Sequence, residues 1–203
     1  MKVHRMPQRS DEWFQVRLGK ITGTSFSTMA AGKPETFKKL CYRVLSERRT
    51  GCPCDSVPVT PAMQRGIELE HTARREYERQ EFCIVEEVGF LEKDDLLGVS
   101  PDGLVGDDGG VEIKCPKQET HEAYLDKKEP WRQYRWQIQG ALWVSGREWW
   151  DFVSYCPAYA PVGKHIAVWR VLPDAEAFKK LEDGAARCRK FIRERLEKEA
   201  HHD

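Results

Sequence analysis

The chain changes its hydrophobic period at residue 82, and that change limits the folds open to it. Before that point apolar residues recur at helical spacing, as in Phe37, Leu40, Cys41, Val44 and Leu45. After it come short apolar segments, 82–90, 96–100 and 111–115, punctuated by Asp94-Asp95, Asp102-Gly103 and Gly109-Gly110. Apolar runs this short, bounded by turn residues, read as antiparallel strands. A helical stretch over 131–144 follows, and 149–155 and 164–172 add two more strands.

Helix boundaries follow from cap chemistry. Ser10 can cap a first helix near 11–18, with Asp11 and Glu12 at the positive end of its dipole and Gly19 marking its end. A second helix starts near Thr24, and Pro34 and Glu35 open a third. Residues 51–58 read as a loop. Thr60-Pro61 opens a fourth helix that reaches residue 78 and holds Glu70 in its middle, since proline in the first turn forfeits no intrahelical bond. Asp174 caps the last helix, where Phe178, Leu181, Ala185, Cys188, Ile192 and Leu196 form a core-facing stripe. With no repeat, low-complexity segment or dividing linker, 203 residues are expected to form one domain over 1–203. Its class is α/β or α+β, a central mixed sheet flanked by helices.

Charge and cysteine usage narrow the function classes. The 33 basic and 33 acidic residues cancel, so charge for a nucleic-acid partner has to be local. Lys38 and Lys39, Arg48 and Arg49, the group Lys127, Lys128, Arg132 and Arg135, and the stretch 187–195 each read first as solvated helix faces. No apolar run approaches the roughly 20 residues that span a bilayer, and the start of the chain is polar. A cytoplasmic protein without a membrane partner is therefore expected. The seven cysteines lack framework spacing and read as thiols. Cys52 and Cys54 have no second pair to complete a zinc site, and Cys83, Cys115, Cys156 and Cys188 are too scattered for an iron–sulfur cluster. Trp143, Trp149 and Trp150 read as core or subunit-interface residues rather than base-stacking platforms.

The chemistry concentrates in 100–116. In Val111-Glu112-Ile113-Lys114-Cys115 apolar and charged residues alternate, so on a strand Glu112 and Lys114 project from one face. Ser100-Pro101-Asp102-Gly103 places a carboxylate at a tight turn, where a hairpin can bring Asp102 near Glu112. Two carboxylates beside one lysine suit a hard cation such as Mg²⁺ or Mn²⁺, which polarises a phosphodiester oxygen and lowers the pKa of a bound water. Lys114 could orient that water or stabilise phosphate charge. Each piece alone reads first as an ordinary turn or a half-exposed strand.

Pro101-Asp102, followed after residues 103–111 by Glu112-Ile113-Lys114, matches the PD-(D/E)XK nuclease pattern. The surrounding strings SPDG and VEIKCP resemble the lambda exonuclease and its viral recombinase relatives. Arg17-Leu18-Gly19, Ile21-Thr22-Gly23-Thr24, residues 66–70 and Trp136-Gln137-Ile138-Gln139 fall in that family's order, and the resemblance covers 13–172. It implies a restriction-endonuclease-like core. In that core Asp102, Glu112, the Ile113 backbone carbonyl and Glu70 bind metal, two ions per site, while Lys114 and Gln137 position the attacking water. Helical period alone would leave Glu70 and Gln137 exposed. The resemblance also assigns Arg17 to a pocket for the 5′-terminal phosphate, with Thr24 ranked ahead of Ser25 as its hydroxyl.

The implied activity is 5′-to-3′ digestion of linear double-stranded DNA to mononucleotides and a 3′ overhang. It would serve phage-type recombination by single-strand annealing in the cytoplasm of a bacterial host. The implied assembly is a homotrimeric ring on DNA ends, acting with a single-strand annealing protein. A structure-specific or restriction-type endonuclease of the same fold, and a non-catalytic DNA-end binding protein, stand as the alternatives.

Overall fold

The computed structural model describes residues 1–54 and 58–200, so 55–57, within the expected loop 51–58, lie outside the described residues. The chain runs β1 (Lys2–His4), α1 (Asp11–Arg17), α2 (Phe26–Ala31), α3 (Pro34–Thr50) and α4 (Pro61–Glu81). There follow β2 (Val85–Glu86), β3 (Phe90–Glu92), β4 (Gly98–Val99), β5 (Gly103–Val105), β6 (Gly109–Lys114), α5 (Gln118–Leu125), α6 (Arg135–Ser145), β7 (Trp149–Tyr155), β8 (Ile166–Val171) and α7 (Ala175–Ala200). Three helices, α1, α4 and α7, begin where cap chemistry places them. Ser10 Oγ accepts from Trp13 N at 3.2 Å, Thr60 Oγ1 from Met63 N at 3.2 Å, and Asp174 Oδ1 from Glu176 N and Ala177 N.

One sheet has the order β2-β5-β6-β7-β8 and the other β1-β3-β4. All pairs are antiparallel except β6 with β7. A parallel pair needs a crossover, here supplied by α5 and α6, and it makes β6 the central strand of the larger sheet. Val111 and Ile113 share one apolar cluster with Val153, Tyr155 and, from α4, Ala73 and Tyr77. The opposite side is a larger cluster built on Trp150, Phe152, Phe26, Ile138 and Leu181. Strand alternation turns Glu112 and Lys114 toward that second side, beneath α6. α6 packs closely on α2 because residue 140 is glycine: a Cβ there would lie 2.0 Å from the Phe26 ring.

The structure departs from the periodicity in five places. Residues 82–90 are not one strand but parts of two, β2 in the larger sheet and β3 in the smaller. Phe82 takes the left-handed conformation (φ 52°) that terminates α4, which leaves its ring 96% exposed. Gly89 then crosses against the Met6 carbonyl, where a Cβ would sit at 2.3 Å. The polar segment Lys2–His4 becomes β1 through backbone pairing with β3 (Lys2↔Glu92 to His4↔Phe90), an interaction that leaves no hydrophobic period to read. α5 buries only His121 and Tyr124, too few for a periodic signal. β5 is a three-residue strand hidden behind the Asp102-Gly103 turn. Residues 130–134 form a 3₁₀ turn, opened by Pro130, ahead of α6.

Trp150 is fully buried, while Trp143 and Trp149 are partly buried against the two clusters. Much of the basic surface is engaged internally: Arg189 with Asp94 and Asp95, Arg48 with Asp95, Arg135 with Asp174, and Arg132 with Glu129. Among the described residues no helix is long and apolar enough to cross a membrane.

Candidate active site

The β5–β6 hairpin brings the turn carboxylate to the strand carboxylate. Gly103 pairs with Val111, so Asp102 lies beside β6, and its Oδ2 accepts a 2.7 Å hydrogen bond from Ile113 N. Residue 103 has to be glycine, because a Cβ would meet Val85 Cγ1 at 2.1 Å. Gln8 Nε2 donates to the Pro101 carbonyl at 2.7 Å and Arg74 Nε to the Asp102 carbonyl at 3.2 Å, so this turn is held from two sides.

Glu112 is 2% exposed. Its Oε1 accepts from Lys114 Nζ and, at 2.6 Å, from Gln137 Nε2 on α6. Burial pushes the Glu112 pKa up to about 7, opposed by the Lys114 charge and reinforced by Asp102. For Lys114 burial acts to lower the pKa but is outweighed by the Glu112 and Asp102 carboxylates, so the amine stays protonated. Glu70, half-buried on α4, has its pKa raised by burial and then by Asp102; its Oε1 accepts from Arg74 Nη2 at 2.8 Å. The structure thus brings Asp102, Glu112, Lys114, Gln137 and Glu70 together, with Ile113 between the two strand-borne charges.

Arg17 occupies an adjoining cavity of ≈ 50 Å³, lined also by Thr22, Thr24, Ser100, Glu112 and Gln137. Its guanidinium lies 3.9 Å from the Trp13 ring centroid and donates to Ser100 Oγ at 2.8 Å and Thr22 Oγ1 at 3.4 Å. Trp13 Nε1 donates to Ser100 Oγ and the Gly89 carbonyl, fixing the indole as a platform. Burial, then the nearby Arg43, lowers the Arg17 pKa to about 10, which leaves it charged at neutral pH. Thr24 lines this cavity, whereas Ser25 lies in the short 3₁₀ turn just before α2 and is not part of its wall.

The donors suit a hard divalent cation: three carboxylates and a backbone carbonyl, all oxygen. Asp102 raises the pKa of both Glu70 and Glu112, the mutual repulsion that a cation among them would relieve. Among the described residues no three ligating side chains are already gathered around one point. Glu70 Oε1 accepts from Arg74, Asp102 Oδ2 from Ile113 N, and Glu112 Oε1 from Lys114 and Gln137, so these bonds engage one oxygen of each carboxylate.

Sequence reasoning assigned no role to Thr22, Ser100, Arg74 or Tyr134. Thr22 and Ser100 were visible inside the strings that carry the resemblance, yet nothing local marks them as partners of Arg17. Tyr134 places its ring 5.2 Å from Lys114 Nζ and its hydroxyl 3.0 Å from that of Tyr124, contacts that the crossover alone creates.

A mixed sheet whose central strand carries an acid and an amine on one face, flanked by a turn aspartate and a helical glutamate, defines the nuclease core class. The sequence profile of the YqaJ-like viral recombinase domain matches residues 12–148, and the chain belongs to that family. It is similar to the crystal structure of an alkaline exonuclease, LHK-Exo, from Laribacter hongkongensis. Identity is 33%, the TM-score 0.80, and 96% of this chain and 100% of that one are covered; the same values hold for LHK-Exo in complex with dAMP. A phage related exonuclease from Haemophilus somnus 129PT, at 14% identity and a TM-score of 0.68, shares the fold over 88% of this chain and 96% of its own. No curated protein matches the chain. The family and the 33% identical exonuclease support a nuclease role in recombination, with DNA as the substrate class.

Proposed function

We propose that the protein is a Mg²⁺-dependent exonuclease, with Mn²⁺ as the alternative ion, that digests linear double-stranded DNA from its 5′ ends. It releases mononucleotides and leaves a 3′ single strand for recombination by annealing. The observation that carries this reading is the Arg17 cavity, whose wall includes Glu112 and Gln137. A small basic recess opening onto the carboxylates suits a terminal phosphate, and it gives a strand end a place that an internal site does not need. LHK-Exo has been solved in complex with dAMP, a mononucleotide, which agrees with the product class proposed here.

Asp102, Glu112, the Ile113 carbonyl and Glu70 would hold the ions, two per site. When bound, these supply Lewis-acid polarisation of the phosphodiester and activation of water. The chain's own groups do the rest. Arg17, with Thr22, Ser100 and Thr24 beside it, binds the 5′ phosphate through a guanidinium fork. Gln137 holds Glu112 in place and presents its amide to the attacking water. Lys114, kept charged, faces the phosphate as negative charge grows on its oxygens. A ring of three chains and a single-strand annealing protein belong to the same proposal; a ring lets basic residues line a channel although the net charge is zero.

The test is release of acid-soluble nucleotides from linear duplex carrying a 5′ phosphate on one strand, with Mg²⁺ or EDTA. The expected result is Mg²⁺-dependent loss of the phosphorylated strand alone, with closed circular duplex left intact. Cutting of the circle would replace this reading with an endonuclease, and end binding without release would leave a binding protein. Arg17→Ala is expected to lower kcat/KM on the 5′-phosphorylated end by about 10- to 100-fold, the loss of charge-assisted hydrogen bonds, and to abolish the preference over a 5′-hydroxyl end. An unchanged phosphate preference would remove Arg17 from the pocket.

A further inference from the structure

Arg9 combines three observations that the proposed site does not use. Its φ is 69°, at the third position of the turn closed by Ser10 N on the Pro7 carbonyl, where a positive φ normally calls for glycine or asparagine; among the described residues Phe82, at the end of α4, is the other non-glycine residue with positive φ. Glycine adopts such a conformation freely and arginine does not, and retained strain of this kind gathers at functional positions. The turn is tied to the active site by Gln8 Nε2, which donates to the Pro101 carbonyl at 2.7 Å as well as to the Val88 carbonyl.

Arg9 also stands where two cavities meet the acidic site. It lines the main cleft of ≈ 980 Å³ together with Glu70, Asp102 and Lys114, and a second cavity of ≈ 390 Å³ together with Glu70, Arg74 and Asp102. The other arginines of these walls are committed. Arg74 is bound to Glu70, Glu87 and the Asp102 carbonyl, Arg65 to the Cys115 and Pro116 carbonyls, and Arg5 to Glu86. Arg9 makes no hydrogen bond or ion pair among the described residues, although its charge is felt at Glu70. An exposed, planar five-donor fork left open beside a phosphodiester-cleaving site suits a phosphate.

We propose that Arg9 binds a backbone phosphate of the DNA strand in the main cleft, on the 3′ side of the bond to be cut. Arg17 would then hold the strand by its end and Arg9 by its continuing backbone, with the carboxylates between them. This assignment rests on the nuclease reading, and its test separates the two.

Duplex with a 5′ phosphate is titrated against the full chain carrying Lys114→Ala, in EDTA, by fluorescence anisotropy between 50 and 200 mM salt. Adding Arg9→Gly is expected to weaken binding about tenfold at low salt and to reduce the slope of log K against log salt by about 0.9, one phosphate contact on duplex DNA. Arg9→Lys is expected to keep the slope. Thermal unfolding of Arg9→Gly at or above the parent's midpoint would show that the loss is not misfolding, because glycine relieves the strained φ. An unchanged slope in Arg9→Gly would overturn the proposal and leave Arg9 a counter-charge to Glu70. A chain with Lys114 intact that binds no duplex in either EDTA or Ca²⁺ would overturn the nuclease reading along with it, whereas DNA binding with an unchanged slope would sink the Arg9 contact alone.

Discussion

Lys114→Ala is expected to lower nucleotide release from linear duplex by about 10³-fold while the chain stays folded. The ammonium is the cation paired with the buried Glu112 carboxylate, and it is kept protonated there. Without it Glu112 retains the 2.6 Å hydrogen bond from Gln137, so the strand keeps one polar contact at this point. The carboxyl, already raised to about 7 by burial, then rises further because the opposing positive charge is gone. At pH 7 less of it is ionised, and less charge faces a cation. The residual activity of Lys114→Ala should therefore recover as pH rises and Glu112 loses its proton, relative to the parent. Rates measured across pH for both proteins decide this. A variant with parental rates, or one that is merely unfolded by circular dichroism, would defeat the assignment of Lys114 to the chemistry.

The largest effect on stability is expected at Asp151, on β7, the parallel neighbour of β6. Asp151 is 1% exposed; its Oδ2 accepts from the Tyr77 hydroxyl at 2.8 Å, and Arg170 donates to both its oxygens at 2.9 Å while stacking 3.8 Å from the Trp149 ring. One carboxylate thereby joins α4, β7 and β8, and α4 is the helix that carries Glu70. Asp151→Ala strands the buried Tyr77 hydroxyl. Arg170 is about half exposed and returns to water, so the full cost of breaking a buried pair is not incurred. We expect about 3 kcal/mol, a fall in Tm of about 10 °C for a chain of this length. Tyr77→Phe leaves the Arg170 contact intact and should cost only about 1 kcal/mol. Calorimetry that found the two variants equally destabilised would refute this division of the network.

What could be read in advance depended on how local each signal was. Ser10, Thr60 and Asp174 satisfy backbone donors within three residues of themselves, so helix starts were legible. Glu112 and Lys114 share a face because a strand alternates, and Asp102 reaches Ile113 N because a tight turn allows little else. β1 was not legible, since its pairing with β3 joins Lys2 to Glu92 through backbone atoms that every residue carries. The strand expected over 82–90 split because Phe82 closes α4 in a left-handed conformation that apolar patterning does not register.

For the site the division is sharper. Helical period would have left Glu70 and Gln137 in solvent; resemblance to a family placed them in the site, and only the crossover through α5 and α6 shows how Gln137 comes to lie over β6. The pairing of Arg17 with Ser100, 83 residues apart, and the open position of Arg9 beside Glu70 had no trace in the sequence. By itself the sequence determined which elements form and which chemical groups stand on one strand face, because hydrogen bonds and side-chain alternation act over a few residues. Which groups meet across the chain was decided by tertiary packing alone, where close approaches such as Gly140 against Phe26 set how near one element comes to the next.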